Sequence, residues 1–305
     1  MMSSVLVVLV MQIAVSFFIL TERKGLGMFQ LRQGPNKASF KALGQPVADG
    51  VKLFLKQLSF PYGSSLGSYL LGPVLLFFLA CLSWLAFPSV DGSIRLEWGM
   101  LYVLCVSSLH VFGVFICGYS CDSRYGMLGA MRGVAQAISY EVVMSGVVFC
   151  PLMLMGTLDL ASCRQSEDVV FLAACETLVV WVIVMLAETN RTPFDFVEGE
   201  SELVAGYSVE YGGGAFAVIA LAEYGSMFFM SVLTSVIFFS GLGALGAGQL
   251  LPNIWYSLMA VFFCFLFIIV RGGLPRFRYD LLMSFCWLWL LPLTLGFMGF
   301  YLCVG

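Results

Sequence analysis

Acidic side chains within apolar stretches are the groups of this sequence best suited to chemistry. Four of them lie inside or at the ends of charge-poor stretches long enough to cross a membrane: Glu141, Glu176, Glu188 and Glu223. A charge at mid-membrane costs about 2.5–3.5 kcal/mol on insertion scales, so such acids often mark ion or proton routes. No basic residue accompanies Glu141 or Glu223 within its own stretch. We therefore expect these acids to handle protons; the alternative is a buried acid kept neutral by a hydroxyl or amide partner.

The segment from Glu188 to Gly212 concentrates the same kind of group. Against the single cation Arg191 it holds six carboxylates: Glu188, Asp195, Glu198, Glu200, Glu202 and Glu210. Crowded carboxylates raise one another's proton affinity through like-charge repulsion, so such a cluster can hold and release protons near neutral pH. Five apolar residues are interleaved with them: Phe194, Phe196, Val197, Leu203 and Val204. A solvated acidic loop would not need these, so we expect the segment to fold back against the rest of the protein.

The elements that must position these acids follow from the composition. Of the 305 residues, 60% are hydrophobic and only 11% are charged, too few charges to coat a water-soluble protein. The sequence therefore predicts an all-α, polytopic membrane protein with eight transmembrane helices, forming a single bundle over residues 1–305. The predicted spans are Met2–Thr21, Leu66–Phe87, Trp98–Cys121, Gly133–Gly156, Val169–Ala187, Gly213–Ser240, Asn253–Val270 and Leu281–Cys303.

The distribution of basic residues predicts the orientation in the membrane. The loops Glu22–Ser59, Asp122–Arg132, Glu188–Gly212 and Arg271–Asp280 together hold 13 of the 15 lysines and arginines. Because basic loops stay on the inner side of a membrane, we expect these loops on the inner face. Both termini then lie on the outer (intermembrane-space or periplasmic) side. The inner loop 22–59 and the acidic inner loop 188–212 face the same compartment.

The first inner loop contains a predicted amphipathic helix from Pro46 to Leu58. Its apolar residues recur at helical spacing, on a different side from its charged ones: Val47, Val51, Phe54, Leu55 and Leu58. Proline suits the first turn of a helix, and this pattern is typical of a helix lying in the membrane interface. A linker helix packed on its neighbours is the alternative.

Metal and nucleotide sites are not expected in this chain. The ten cysteines form no C-x-x-C, and His110 is the single histidine, so neither zinc, haem nor an iron–sulfur cluster has a ligand set. We expect His110 to be a packed residue with a satisfied ring rather than a ligand or relay. The stretch Gly241–Gly246 matches G-x-G-x-x-G but lies between two spans with no strand before it, so it predicts a turn and no nicotinamide site. The chain also opens on an apolar span without a basic leader, which favours synthesis inside an organelle.

Five polar segments resemble a known family. They are Thr21–Gly25, Gln30–Lys37, Arg132–Glu141, the acidic segment above and Pro275–Asp280. In this order they are similar to the quinone-site membrane subunit, chain 1, of respiratory complex I (NADH:ubiquinone oxidoreductase). The resemblance runs from the first span to the last. It implies an eight-helix bundle whose inner loops, with neighbouring subunits, close a chamber that admits quinone from the bilayer.

The resemblance also implies roles for individual residues. The quinone chamber and its entrance would be lined or braced by Arg23, Arg32, Asp49, Arg191, Phe194, Arg271, Arg276 and Arg278. Proton coupling would involve Glu141, Glu188, Asp195, Glu198, Glu200, Glu202, Glu210 and Glu223. Glu176 matches no family motif. No residue is expected to be catalytic or to bind metal.

Cofactors and partners follow from the same resemblance. A ubiquinone-type quinone would be the substrate, while the iron–sulfur clusters, FMN and NADH would be bound by partner subunits. Those partners would be the quinone-module subunits of the peripheral arm and small or antiporter-like membrane subunits, with membrane lipid and no nucleic acid. The expected location is the mitochondrial inner membrane, multi-pass, with a bacterial plasma membrane as the alternative.

The expected activity is a share in quinone reduction coupled to proton translocation. Negative charge arising on the quinone headgroup would act strongly on nearby carboxylates in a cavity of low dielectric, and the disturbance would pass through Glu188, Glu141 and Glu223. Three other interpretations remain open on the sequence. The chain could be a stand-alone cation/proton antiporter or secondary transporter, a scaffold that only joins two arms, or a hydrogenase membrane subunit.

Overall fold

Helices account for nearly all of the regular structure in this protein. The computed structural model describes residues 2–37, 39–87, 96–166, 170–197, 199, 205–241 and 250–304, and no strand occurs among them. The helices in chain order are α1 (Met2–Phe29), α2 (Gln45–Leu55), α3 (Leu66–Ser83), α4 (Gly99–Ser120), α5 (Arg124–Met155), α6 (Leu160–Gln165), α7 (Val170–Ala173), α8 (Cys175–Glu188), α9 (Gly213–Phe238), α10 (Leu250–Gly273), α11 (Tyr279–Phe285) and α12 (Leu291–Val304). A π-helical stretch, Cys286–Leu290, joins α11 to α12.

Seven helical segments of the described part are long and apolar enough to cross a membrane. They are Val5–Phe29, Leu66–Ala86, Gly99–Ser120, Arg124–Met155, Gly213–Phe238, Pro252–Gly273 and Tyr279–Cys303. The all-α class and a membrane-spanning character are thereby confirmed. Each of these segments overlaps a predicted span.

The eighth expected span, Val169–Ala187, is not among these seven. Its described residues form two helices, because Ala174 leaves the helical backbone at φ −122° and ψ 30°. The longer piece, α8, has only 14 residues. A break of this kind is invisible in a hydropathy pattern, since Ala174 is itself a good helix former.

Two helices extend further than their apolar windows predict. α1 continues through Glu22 to Phe29, and α5 begins at Arg124 within the expected loop Asp122–Arg132. Ser123 caps α5, its Oγ accepting a hydrogen bond from the Gly126 amide at 3.2 Å. Hydropathy marks where apolar character ends, whereas charged residues such as glutamate, lysine and arginine are good helix formers and continue the helix. Both predicted loops are therefore shorter than expected.

The amphipathic helix has slightly different bounds from those predicted. α2 covers Gln45–Leu55, with Pro46 in its first turn, and it ends where Lys56 becomes extended. Four of its apolar side chains are more than half exposed in the isolated chain: Val47, Val51, Phe54 and Leu55. The placement of this helix in a membrane interface remains a prediction.

Small residues allow the long helices to approach closely. A Cβ atom added to Gly72 of α3 would lie 2.6 Å from the Cys117 sulfur and 3.2 Å from the Cys117 amide nitrogen. Such contacts are typical of helix pairs in membranes, where packing replaces the hydrophobic effect as the driving force. The main core, around Tyr140, Trp181 and Phe238, has no exposed surface at these side chains.

We predict that Gly72→Val destabilises the α3–α4 pair by about 1–3 kcal/mol, because the new side chain meets backbone atoms that cannot give way. Gly67→Val is the matched control, since a Cβ atom at Gly67 meets nothing within 4 Å. The measurement is the midpoint of thermal unfolding of the detergent-solubilised protein. Equal midpoints for the two variants would contradict the close approach of α3 and α4.

Candidate functional site

The described residues of the acidic loop (188–197, 199 and 205–212) include several that pack against α5. Gln136 is fully buried, and its side-chain amide donates to the Ala187 carbonyl at 2.8 Å and the Phe194 carbonyl at 2.9 Å. Gly129 and Gly133 allow the loop to approach α5 closely. A Cβ atom on Gly129 would lie 2.9 Å from the Gly206 Cα, and one on Gly133 would lie 2.5 Å from a Val197 methyl group. The expected folding of this segment against the bundle is confirmed.

Aromatic contacts join the acidic loop to the segment between α10 and α11. The Phe194 ring stacks on Phe277, with centroids 5.8 Å apart, and lies 6.2 Å from the Tyr140 ring. The Phe277 amide donates to the Pro193 carbonyl at 3.2 Å. These contacts fix the loop between α5 and the segment that carries Arg276 and Arg278.

An ion pair lies next in the chain to these aromatic contacts. The Arg276 guanidinium lies 3.3 Å from a carboxylate oxygen of Asp195, and the Asp195 side chain is only 10% exposed. A charge with so little access to water needs such a partner, because desolvation would otherwise make it costly. The Arg276 side chain remains 26% exposed, so this pair lies at the edge of the buried region.

A second, more buried charge cluster joins four segments. The Glu22 carboxylate of α1 forms ion pairs with Arg271 of α10 and, at 3.9 Å, with Arg191 of the acidic loop. The Arg191 guanidinium also lies 4.3 Å from the ring centroid of Tyr224 on α9, a favourable cation–π distance. Arg191 therefore joins the acidic loop to both α1 and α9.

The two carboxylates on either side of the loop differ in their partners. Glu223 of α9 accepts a hydrogen bond from the Tyr207 hydroxyl, and the charges of Arg191 and Asp195 both act on it. Glu188 lies at the end of α8, and its buried Oε2 has no hydrogen-bond partner in the protein. Glu141 of α5 is the acid whose charge acts on Glu188. Glu223 therefore has a hydrogen-bond donor, whereas Glu188 has a neighbouring acid.

Tyrosines hold the far end of the loop. The Tyr69 hydroxyl donates to the Glu210 carbonyl at 2.9 Å, and the Tyr69 ring stacks on Tyr211 with centroids 4.4 Å apart. The Cys121 thiol donates to the Tyr207 carbonyl at 3.1 Å.

Comparison with known proteins identifies the family. A family model described as NADH dehydrogenase matches residues 2–302. A relative from Anopheles gambiae named NADH-ubiquinone oxidoreductase chain 1 is 45% identical over 300 residues, 98% of this chain and 93% of the relative. A relative of the same name from Pecten maximus is 42% identical over 306 residues, 97% of this chain and 85% of the relative. This chain belongs to that family.

Membership of the chain 1 family confirms the resemblance found in the five sequence segments. The structure brings four of those segments together in one site, since three of them contact the acidic segment. The segments Thr21–Gly25 and Arg132–Glu141 supply Glu22 and Gln136, which contact or lie beside the acidic loop. The segment Pro275–Asp280 supplies Arg276.

The predicted site residues are divided between this site and the periphery. Those gathered around the acidic loop are Arg191, Phe194, Asp195, Arg271, Arg276, Glu141, Glu188 and Glu223. Glu210 contributes its backbone carbonyl. Glu198, Glu200 and Glu202 lie outside the described residues.

The remaining predicted residues lie away from the loop. Arg23 pairs with Asp49 at 2.6 Å and so ties α1 to α2. Arg32 donates from Nε to the Gln30 side chain at 2.8 Å. Arg278 pairs with Asp280 at 3.0 Å, with both side chains more than two-thirds exposed. The ion pairs of Arg23 and Arg278 thus lie at α2 and at the start of α11, and their printed partners are not members of the Glu22 cluster.

Several residues of the site were missed from the sequence. Glu22, Gln136, Tyr207 and Tyr224 all contact it, yet none was assigned a role. For Glu22 and Gln136 a signal existed, since both lie within the segments that carry the family resemblance. The tyrosines gave no signal, because an aromatic residue in an apolar stretch predicts packing. Among the described residues, no group of three or more histidine, cysteine or acidic side chains could hold a metal ion.

We predict that Arg271→Leu lowers the free energy of unfolding by about 2 kcal/mol, because it leaves the buried Glu22 carboxylate with a single, more distant cation. Arg278→Leu is the control, and its exposed ion pair is worth about 0.5 kcal/mol or less. Chemical denaturation of the solubilised protein distinguishes the two. If Arg278→Leu cost as much as Arg271→Leu, the Glu22 cluster would not be the stabilising contact.

Proposed function

We propose that this chain acts as the chain 1 subunit of proton-pumping NADH-ubiquinone oxidoreductase. In that role it forms one wall of the quinone-access chamber and carries acids that couple quinone reduction to proton translocation. The observation that carries the proposal is the continuity of charge at the acidic loop, from the partly exposed Arg276–Asp195 pair to the partly buried Glu223 on α9. Relatives named for this enzyme, matching 97–98% of the chain, disfavour a stand-alone antiporter.

The proposed membrane arrangement has eight spans, with α7 and α8 together forming the shortest. Residues 170–188 would be about 28 Å long as a helix, close to the thickness of the hydrocarbon core. The two termini lie on the outer side and the basic loops on the inner side, in the mitochondrial inner membrane. The 13 basic residues in those loops support this orientation.

α2 is proposed to lie in the membrane interface at the chamber entrance. Val47, Val51, Phe54 and Leu55 are 53–79% exposed, as expected of a surface that contacts lipid or a quinone tail. Its polar side is held to α1, because Asp49 accepts a hydrogen bond from Arg23 at 2.6 Å. Gln45, in the first turn of α2, donates to the same carboxylate at 2.7 Å. A ligand with a polar head and an apolar tail suits such a surface.

The proposed substrate is a ubiquinone-type quinone. Phe194 is 6% exposed, so it braces the chamber wall instead of contacting the headgroup. Arg276 has exposed surface and a cationic side chain that can donate to a quinone oxygen. The NADH site, FMN and iron–sulfur clusters are assigned to partner subunits of the peripheral arm, with antiporter-like membrane subunits on the other side.

Coupling is proposed to work through electrostatics. Reduction of a quinone to a quinol takes two electrons and two protons, so negative charge builds up on the headgroup before the protons arrive. In a site of low dielectric, that charge weakens the hold of Arg276 on Asp195 and raises the proton affinity of neighbouring carboxylates. Asp195 and Arg191 both act on Glu223, so the disturbance reaches an acid within the membrane. Glu188 and Glu141, which interact with each other, continue the route.

A photoreactive ubiquinone analogue is expected to label the segment that contains α2 in the intact enzyme. Excess unreactive ubiquinone should suppress this labelling, because both ligands occupy one chamber. Labelling of the outer face of α1 serves as the control, since Val5, Leu9 and Ile13 are exposed there and contact with bulk lipid is not suppressible. Absence of suppressible label on this chain would instead favour a scaffold that only joins two arms.

Glu188→Gln is expected to lower proton uptake per NADH oxidised by roughly tenfold or more, because the amide keeps the shape of the carboxyl group but cannot exchange a proton. Glu141→Gln should behave similarly. Glu176→Gln is the matched control in the same helix, where Glu176 is exposed and lies outside the family motifs. The assay is proton uptake by the enzyme in proteoliposomes, with quinone reduction measured in parallel. Full pumping by fully assembled Glu188→Gln and Glu141→Gln enzymes would rule out this route.

A further inference from the structure

A cavity of about 60 Å³ lies between α3, α4, α9 and the end of α8. Most of its wall is apolar, but six polar residues line it. They are Ser83, Ser107, His110, Glu188, Thr189 and Ser226, and the Thr189 hydroxyl donates to the Met185 carbonyl of its own helix at 2.8 Å. No lysine or arginine is among its lining residues in the described part of the chain. The cavity therefore combines one acid and one potential base in a surrounding with little other charge.

Two buried polar atoms in this cavity lack a partner in the protein. They are His110 Nε2 and Glu188 Oε2. Leaving a buried donor or acceptor unsatisfied costs about 1–3 kcal/mol, so native proteins almost always satisfy such atoms. The expected satisfied histidine ring is therefore not what the structure has.

The serine hydroxyls of the cavity do not donate to His110 Nε2 or Glu188 Oε2. Each hydroxyl already donates to a carbonyl of its own helix: Ser83 to Ala80 at 2.7 Å, Ser107 to Leu104 at 2.9 Å and Ser226 to Glu223 at 2.7 Å. Their oxygens still have lone pairs that can accept. A small molecule that can both donate and accept hydrogen bonds could bond to the serine oxygens and to the two unpartnered atoms.

Water fits this chemistry and this volume. A buried water needs about 10–15 Å³ and two to four polar partners. The cavity has room for several waters and is lined by six polar residues. We propose that bound water in this cavity links His110 to Glu188, and that His110 exchanges protons with this acid through it.

His110 lies deeper in the predicted membrane span than Glu188 does. His110 is near the middle of α4, about 15 Å along the helix from its end at Ser120. Glu188 lies at the loop end of α8, beside the acidic loop. The cavity thus extends the acid route from the loop towards the middle of the membrane.

The transfer balances without any further reactant. The Glu188 O–H bond breaks as its proton passes to a water, and another proton of the water chain forms the N–H bond at His110 Nε2. Glu188 becomes a carboxylate and His110 an imidazolium, so the net charge of the cavity does not change. Glu141 is the neighbouring acid that acts on Glu188, and a proton arriving there would shift this balance. The relay step rests on the proposed function, whereas the hydration of the cavity does not.

A density map of the intact enzyme that resolves ordered water tests the first part. We expect water within hydrogen-bond distance of His110 Nε2 and Glu188 Oε2, in a continuous chain between them. A cavity filled by a lipid tail, or His110 Nε2 bonded directly to a protein group, would overturn the proposal.

Two variants test the relay in proteoliposomes. His110→Gln retains a polar side chain that can bond to water but cannot take up a proton, and His110→Leu removes both properties. We expect both variants to lower the rate of proton uptake per NADH oxidised by about twofold to tenfold. The His110→Gln enzyme should be as impaired as the His110→Leu enzyme. Ser108→Ala is the control, since this serine lies on the same helix, is partly exposed and donates only to Cys105.

The Glu188→Gln enzyme, measured in parallel, separates the two proposals. If Glu188→Gln loses proton uptake while His110→Gln retains it, the relay through His110 is wrong and the proposed function stands. If both retain full uptake, the proposed function itself fails. If His110→Gln kept full proton uptake and His110→Leu lost it, the role of His110 would be to bind water. That result would also overturn the relay.

Discussion

The Glu22 carboxylate, held between the Arg271 and Arg191 guanidiniums, is the contact on which the site depends. Buried charges are tolerated only when they are partnered, so this cluster fixes α1, α9, α10 and the acidic loop relative to one another. Arg191 has a second partner in the Tyr224 ring and acts on Glu223. One guanidinium therefore serves both the architecture of the loop and the charge balance of an intramembrane acid.

The described parts of the acidic loop are held at both of its ends. Gln136 and the small residues of α5 hold the backbone of its first part, and Tyr69 holds the backbone at Glu210. Under the proposed coupling, protonation of nearby carboxylates would answer a new negative charge beside them. The Arg276–Asp195 pair, partly exposed, is the point where such a charge would first act.

The sequence predicted the helical class, seven of the spans, the family and the folding of the acidic loop, because apolar runs and polar motifs are local features. It did not predict the break at Ala174 or the continuation of α1 through Glu22, since neither leaves a hydropathy signal. Long-range partners were missed for the same reason. The contacts of Gln136 with the Phe194 carbonyl and of Arg271 with Glu22 join residues far apart in the chain.

The central claim is that charge on a reducing quinone changes the protonation of the acids beside this loop. Infrared difference spectra of the intact enzyme, recorded on quinone reduction, test it most directly in the C=O stretching region of protonated carboxyl groups. The account predicts a band change in the unmodified enzyme that is lost or diminished in Glu188→Gln and unaltered in Glu176→Gln. An unchanged carboxyl region on reduction, or identical spectra for all three proteins, would contradict it.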